Sequence, residues 1–70
     1  MTLSARECAL LHVLASRPTR AFTREELLSR AFDEAESLGA VDTYVHYLRR
    51  KLGHRAIRTV RGIGYQMGSA

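Results

Sequence analysis

Seventy residues, 46% of them hydrophobic and 26% charged, suffice for one globular domain with a small core and leave no room for a second. One cysteine excludes an internal disulfide and a cysteine-built metal site. Early charge at Arg6 and Glu7, and the break of the Cys8–Leu11 apolar run at His12, exclude a signal peptide and a membrane span, so a cytosolic protein is expected.

The net charge of +4 is unevenly spread: residues 1–40 carry five arginines against six acids, whereas residues 41–70 carry Arg49, Arg50, Lys51, Arg55, Arg58 and Arg61 against Asp42 alone. A basic half points to an anionic partner, with nucleic acid foremost and a solubilising surface as the alternative.

In chain order, Ser4-Ala5-Arg6-Glu7 has the form of a capping box. The Ser hydroxyl accepts from the backbone N–H three residues on, and the Glu carboxylate reaches back to the Ser N–H. Leu10, Leu11, Val13, Leu14 and Ala15 then form an apolar arc, and Pro18 disfavours helix at Arg17, so the first helix is predicted over about 5–16. Cys8 falls in that apolar stretch and is expected to be a buried, inert thiol.

Thr23-Arg24-Glu25-Glu26 is a second capping box, with Phe22 placed to staple onto Leu27; Leu27, Leu28, Ala31 and Phe32 supply a buried face for a helix over about 24–32. Residues 33–39, acidic and ending in Gly39, read as a loop. Val41, Val45, Leu48 and Leu52 recur at four, three and four residues, predicting a third helix over about 41–52 with that stripe inward and Gly53 as its cap. From Ala56 the period changes to two, and Gly62-Ile63-Gly64 supplies turn residues, so a β-hairpin is predicted over about 56–67. The expected fold is mainly α with a C-terminal β-hairpin, a winged helix-turn-helix of three helices plus a wing forming a single domain over residues 1–70.

At about 100° per residue, the face of helix three opposite Val41 holds Thr43 and Arg50, with His46 and Tyr47 beside them. Arginine can bond guanine edges, threonine can offer its methyl to thymine, and His or Tyr can bond bases or phosphates. These four are the candidate base readers. Tyr44, Arg49 and Lys51 on the flanks, with Arg55 and Arg58 beyond, are the candidates for phosphate or flanking contacts, which set register without reading sequence. Arg58 and Arg61 stand on the ribbon, and a narrow minor groove attracts inserted arginine. An ordinary amphipathic helix with a solvated outer face is the alternative.

Leu3-Ser4-Ala5-Arg6-Glu7-Cys8-Ala9-Leu10-Leu11, Phe22-Thr23-Arg24-Glu25-Glu26-Leu27-Leu28, Val41-Asp42-Thr43-Tyr44-Val45-His46-Tyr47-Leu48-Arg49-Arg50-Lys51-Leu52 and Ile57-Arg58-Thr59-Val60-Arg61-Gly62-Ile63-Gly64-Tyr65 follow one another in the chain. In this order they resemble the first helix, second helix, recognition helix and wing of the OmpR/PhoB-type winged-helix effector domains of bacterial two-component response regulators.

The resemblance implies that the recognition helix enters the major groove with Thr43, His46, Tyr47 and Arg50 as readers. It implies that Arg61 is the wing cation at the minor groove, and that Thr59 holds the wing or touches a phosphate. It also implies contact with RNA polymerase through loop 33–39, for which a solvated acidic connector is the alternative, and a homodimer on direct-repeat sites. Family domains carry a four-stranded sheet before the first helix and join a phosphorylatable receiver. Neither is present in these residues, so the chain is expected to be either a trimmed piece or a minimal stand-alone regulator, with part of helix one uncovered. Gly53-His54-Arg55-Ala56 is also short for the family.

The contrasting function is a winged-helix protein-interaction module without DNA binding. Catalysis is not expected, because His12, His46 and His54 show no metal-site or triad spacing and there is no phosphate loop. No cofactor or metal is expected.

Overall fold

A computed structural model describes residues 2–33 and 36–68. Its elements are helix α1 (Ala5–Ser16), strand β1 (Ala21–Thr23), helix α2 (Arg24–Ala31), helix α3 (Leu38–Leu52), a 3-10 turn (His54–Ala56), and strands β2 (Ile57–Val60) and β3 (Gly64–Met67). Three helices followed by a hairpin make the winged helix-turn-helix expected, with one strand more than the sequence reading contained.

Both capping boxes are formed. The Ser4 hydroxyl accepts from the Glu7 N–H while Glu7 accepts from the Ser4 N–H, and Thr23 and Glu26 do the same at α2. Each box satisfies two backbone donors that a helix start otherwise leaves open. Phe22 and Leu27 are both fully buried in one cluster, as a staple requires.

The added strand is β1. It pairs antiparallel with β3, Phe22 opposite Tyr65 and Thr23 opposite Gly64, so the sheet order is β1-β3-β2. Three residues are too few to display a period-two pattern, and β1 forms only because β3 offers a second edge. Gly64, read as a turn residue, is instead the first residue of β3, buried between Thr23 and Val60. The turn itself is Arg61–Ile63, where Gly62 has φ 76°, a conformation that side chains disfavour.

Helix α3 starts at Leu38, earlier than expected, and so contains Gly39. Glycine costs little in a first turn, where its N–H has no intrahelical partner in any case. Of the predicted loop 33–39, Glu34 and Ala35 lie outside the described residues.

The core is Leu10, Leu14, Phe22, Leu27, Phe32, Val41, Val45, Leu48, Ile57 and Tyr65. Burying each large apolar side chain contributes about 1.5–3 kcal/mol. Two expectations fail here. Leu52 is 38% exposed, because the last residue of α3 lies beyond the final buried turn at Leu48. Cys8 is exposed, because α1 turns Glu7, Leu10 and Leu14 inward and Cys8 lies off that stripe. The third member of the stripe is thus a carboxylate, which α3 neutralises.

Candidate nucleic-acid interface

The stripe Val41, Val45 and Leu48 pins α3 to the core, so its other face is presented to solvent. Thr43, His46, Tyr47 and Arg50 are all exposed there. The Thr43 hydroxyl donates to the Gly39 carbonyl at 3.0 Å, leaving its lone pairs for another donor. Tyr47 is braced rather than free: its ring meets Tyr44 edge-on with centroids 5.5 Å apart, and half-buried Tyr44 packs on Phe32 at 5.3 Å. His46 lies 6.2 Å from the Tyr47 ring. Tyr44, predicted as a flanking contact, thus supports the Tyr47 ring from behind.

Several cations are held by internal partners. Lys51 donates to the Glu7 carboxylate at 2.7 Å and to the Thr2 carbonyl at 3.0 Å, tying the end of α3 to the start of α1. Glu7 is 2% exposed, and the Lys51 hydrogen bond holds its carboxyl below the usual glutamate value, with the Ser4 N–H helping against the opposing effect of burial. Arg49 is equally occupied, donating to the Ile57 carbonyl and the Thr59 hydroxyl. Arg6 pairs with Asp33 and Glu36, and Arg20 with Glu26. Among the described residues, by contrast, no carboxylate lies within ion-pair reach of Arg50, Arg55, Arg58 or Arg61. All four are exposed, on α3, the 3-10 turn and the wing. Arg55, Arg58 and His54 line an open cleft of about 520 Å³ between the end of α3 and β2. The wing tip carries Ile63, 48% exposed, close in sequence to Arg61.

Asp42, the lone acid of the basic half, joins three elements. It accepts from Arg24 of α2 at 2.8 Å and from the Tyr65 hydroxyl of β3. The Arg24 guanidinium also lies 5.2 Å from the centre of the Tyr65 ring. Burial pushes the Asp42 carboxyl up, but the Tyr65 and Arg24 hydrogen bonds outweigh it and hold the group below the ordinary aspartate value. Tyr65 is pushed up, by burial first and by Asp42 second. Arg24, Asp42 and Tyr65 were missed as a set by sequence reasoning; the available signal was a single acid among six cations.

Glu7, Asp42 and Glu26, whose backbone bond from Thr23 leads the effects on it, all sit below their ordinary values. Depressed carboxylate pKa values stabilise the fold above the unfolded values, near 4, and that contribution disappears as pH falls through the folded values. The expected thermal midpoint is level between about pH 7 and 5 and drops below about pH 4. Asp42→Asn should shrink that drop, and a midpoint as high at pH 3 as at pH 6 would contradict the pairing described.

Among the described residues no helix is long and apolar enough to cross a membrane, and no three metal-ligating side chains converge.

Residues 1–67 match the family model described as "Transcriptional regulatory protein, C terminal". The chain is 43% identical over 70 residues to the transcriptional regulatory protein QseB of Escherichia coli O157:H7, covering 97% of this chain and 32% of that protein. It is 44% identical over 66 residues to the response regulator protein PmrA of Pseudomonas aeruginosa, covering 90% of this chain and 29% of that one. It thus spans about a third of the length of these relatives.

Among solved structures, the DNA-binding domain of the response regulator AdeR in complex with an intercistronic region superposes with a TM-score of 0.88 at 27% identity, covering 99% of this chain and 74% of that one. The DNA-binding domain of CpxR from E. coli gives 0.80 at 33% identity, covering 100% and 76%.

Proposed function

The chain belongs to the family of C-terminal domains of transcriptional regulatory proteins, and from that premise we propose that it binds double-stranded DNA and reads its sequence for transcriptional control. The observation that carries this reading is the sorting of charge by the fold. Among the described residues, Arg6, Arg20, Arg24, Arg49 and Lys51 are held by internal partners, whereas Arg50, Arg55, Arg58 and Arg61 stand without acids on the recognition helix, the turn after it and the wing; Arg17 and Arg30, also without an ion pair, belong to the ends of α1 and α2.

In this reading the chain acts as one DNA-binding unit and performs no catalysis. Arg50, His46, Thr43 and Tyr47 face bases in the major groove, where a bidentate arginine discriminates by about 1–3 kcal/mol. Arg61 enters the adjacent minor groove, and Arg55 and Arg58 neutralise phosphates on the way. In this reading the chain is the effector part of a cytoplasmic two-component response regulator, which its match to about a third of the length of such regulators supports. Contact with RNA polymerase through residues 33–39 and pairing of two copies on a direct repeat are further parts of the proposal.

Selection from a random duplex pool, followed by anisotropy titrations across salt concentrations, tests it. The expected result is a short enriched motif bound with affinity that falls steeply as salt rises. Arg50→Ala should relax preference at one base position, and Arg61→Ala should weaken binding to sites with A·T-rich flanks. Salt-dependent binding without enrichment would leave a DNA-holding module that does not read sequence. Absence of binding at low salt would replace this reading with the protein-interaction one.

A further inference from the structure

The wing is short. Strands β2 and β3 have four residues each, and two-stranded ribbons of that size have little stability of their own. Of β2, only Ile57 is fully inside the core; Arg58 and Thr59 are exposed. Strand β2 is also an edge of the sheet, so the carbonyl of Ile57 has no fourth strand to take it.

Arg49 takes it. Its Nε and Nη2 donate to the Ile57 carbonyl at 3.1 and 2.7 Å, and Nη2 donates to the Thr59 hydroxyl at 2.8 Å. The guanidinium lies 5.8 Å from the centre of the Tyr65 ring on β3. Two helical turns earlier on the same flank of α3, Asp42 accepts from the hydroxyl of that same tyrosine. The recognition helix therefore grips both wing strands at two points along its length, and the rigid fork of arginine suits this in a way a lysine ammonium does not. Arg50, the next residue, has no such partner and faces out.

We infer that Arg49 is a positioning residue that locks the wing to the recognition helix, so that Arg50 and Arg61 meet two grooves in one register, and that it does not itself bind a phosphate. This rests on the DNA-binding reading and assigns Arg49 a role different from the flanking contact that its charge suggests.

Arg49→Lys separates the two roles, because lysine keeps a phosphate contact but cannot make the forked bonds to Ile57 and Thr59. If Arg49 positions the wing, Arg49→Lys and Arg49→Met behave alike. Each loses about fivefold to tenfold of the preference for A·T-rich over G·C-rich flanks, within the range of coupled neighbours. Thr59→Val loses part of it, and adding Arg61→Ala to Arg49→Lys costs nothing beyond Arg61→Ala alone.

In the protein without DNA, 15N relaxation of the amides of residues 61–63 should show larger fast motion in Arg49→Lys, while the melting curve keeps its cooperativity. The inference is overturned if Arg49→Lys binds and discriminates like the native chain while Arg49→Met loses about one unit of salt slope, the signature of a phosphate contact. Unchanged relaxation of the wing tip in Arg49→Lys also overturns it. Failure of the native chain to bind any duplex overturns it together with the DNA-binding reading, and that outcome is recognised because it appears before any substitution is made.

Discussion

Phe22→Ala is expected to remove a large share of the chain's stability. Phe22 is fully buried and is the middle residue of β1, where it sits opposite Tyr65 and packs with Leu10, Leu14 and Leu27. Removing a buried phenylalanine costs about 3–5 kcal/mol through lost burial and the cavity left behind. A domain of this length has a total stability of roughly 4–10 kcal/mol at the usual 0.05–0.15 per residue, so one substitution removes from about a third to all of it. Arg20 and Arg30 lie 4.6 and 5.9 Å from the Phe22 ring, so two aliphatic stems and two cation–π contacts lose their platform as well. Thermal unfolding followed by circular dichroism should show a midpoint lowered by roughly 15 °C or more. Phe22→Leu, which keeps most of the volume, should lose far less. A Phe22→Ala protein that melts within a few degrees of the native chain would mean that β1 is not a structural part of the core.

Gly64→Ala tests the other side of the same junction. A Cβ on Gly64 would run into the carbonyl oxygen of Phe22 and would sit 3.1 Å from the Thr23 Cα and 3.2 Å from the Phe22 carbonyl carbon. These are backbone atoms, which cannot swing aside as a side-chain tip can. Either β1 separates from β3 or β3 shifts in its register with β2, at a cost at the upper end of the 1–3 kcal/mol typical of overpacking, about 3 kcal/mol. Because Gly64 directly follows the wing turn, the shift should also move Arg61, so DNA affinity is expected to fall even at temperatures where the variant is folded. Amide hydrogen exchange would localise the damage to residues 21–23 and 64–67. Protection there equal to that of the native chain, with native affinity, would show that the strands tolerate the methyl group and that the close approach is not required.

These two positions mark where the sequence was hardest to read. Phe22 was legible as a staple for α2 because that relation spans a few residues; its strand was not, because β1 is three residues long and its partner is more than forty residues away. Gly64 was legible as a glycine beside a turn, but the reason for it, the Phe22 carbonyl, belongs to a distant segment. Cys8 and Leu52 were misplaced on the same ground. Helical periodicity tells which residues share a face, and the neighbouring elements decide how far along the helix that face stays covered.

For the site, periodicity already placed Thr43, His46, Tyr47 and Arg50 opposite the Val41, Val45 and Leu48 stripe, and composition already placed the basic residues in the second half. Which cations remain available could not be read there. Arg49 and Arg50 are adjacent and chemically identical, yet one reaches Ile57 and Thr59 while the other faces solvent; Lys51 turns to Glu7, forty-four residues away. Features that depend on neighbours within about one helical turn, or on composition alone, were legible in the chain: both capping boxes, the helix faces, the turn at Gly62 and the basic bias of residues 41–70. The third strand, the burial of Glu7, the Arg24–Asp42–Tyr65 link and the different partners of Arg49 and Arg50 emerge on folding, because each depends on an atom brought close from a remote part of the chain.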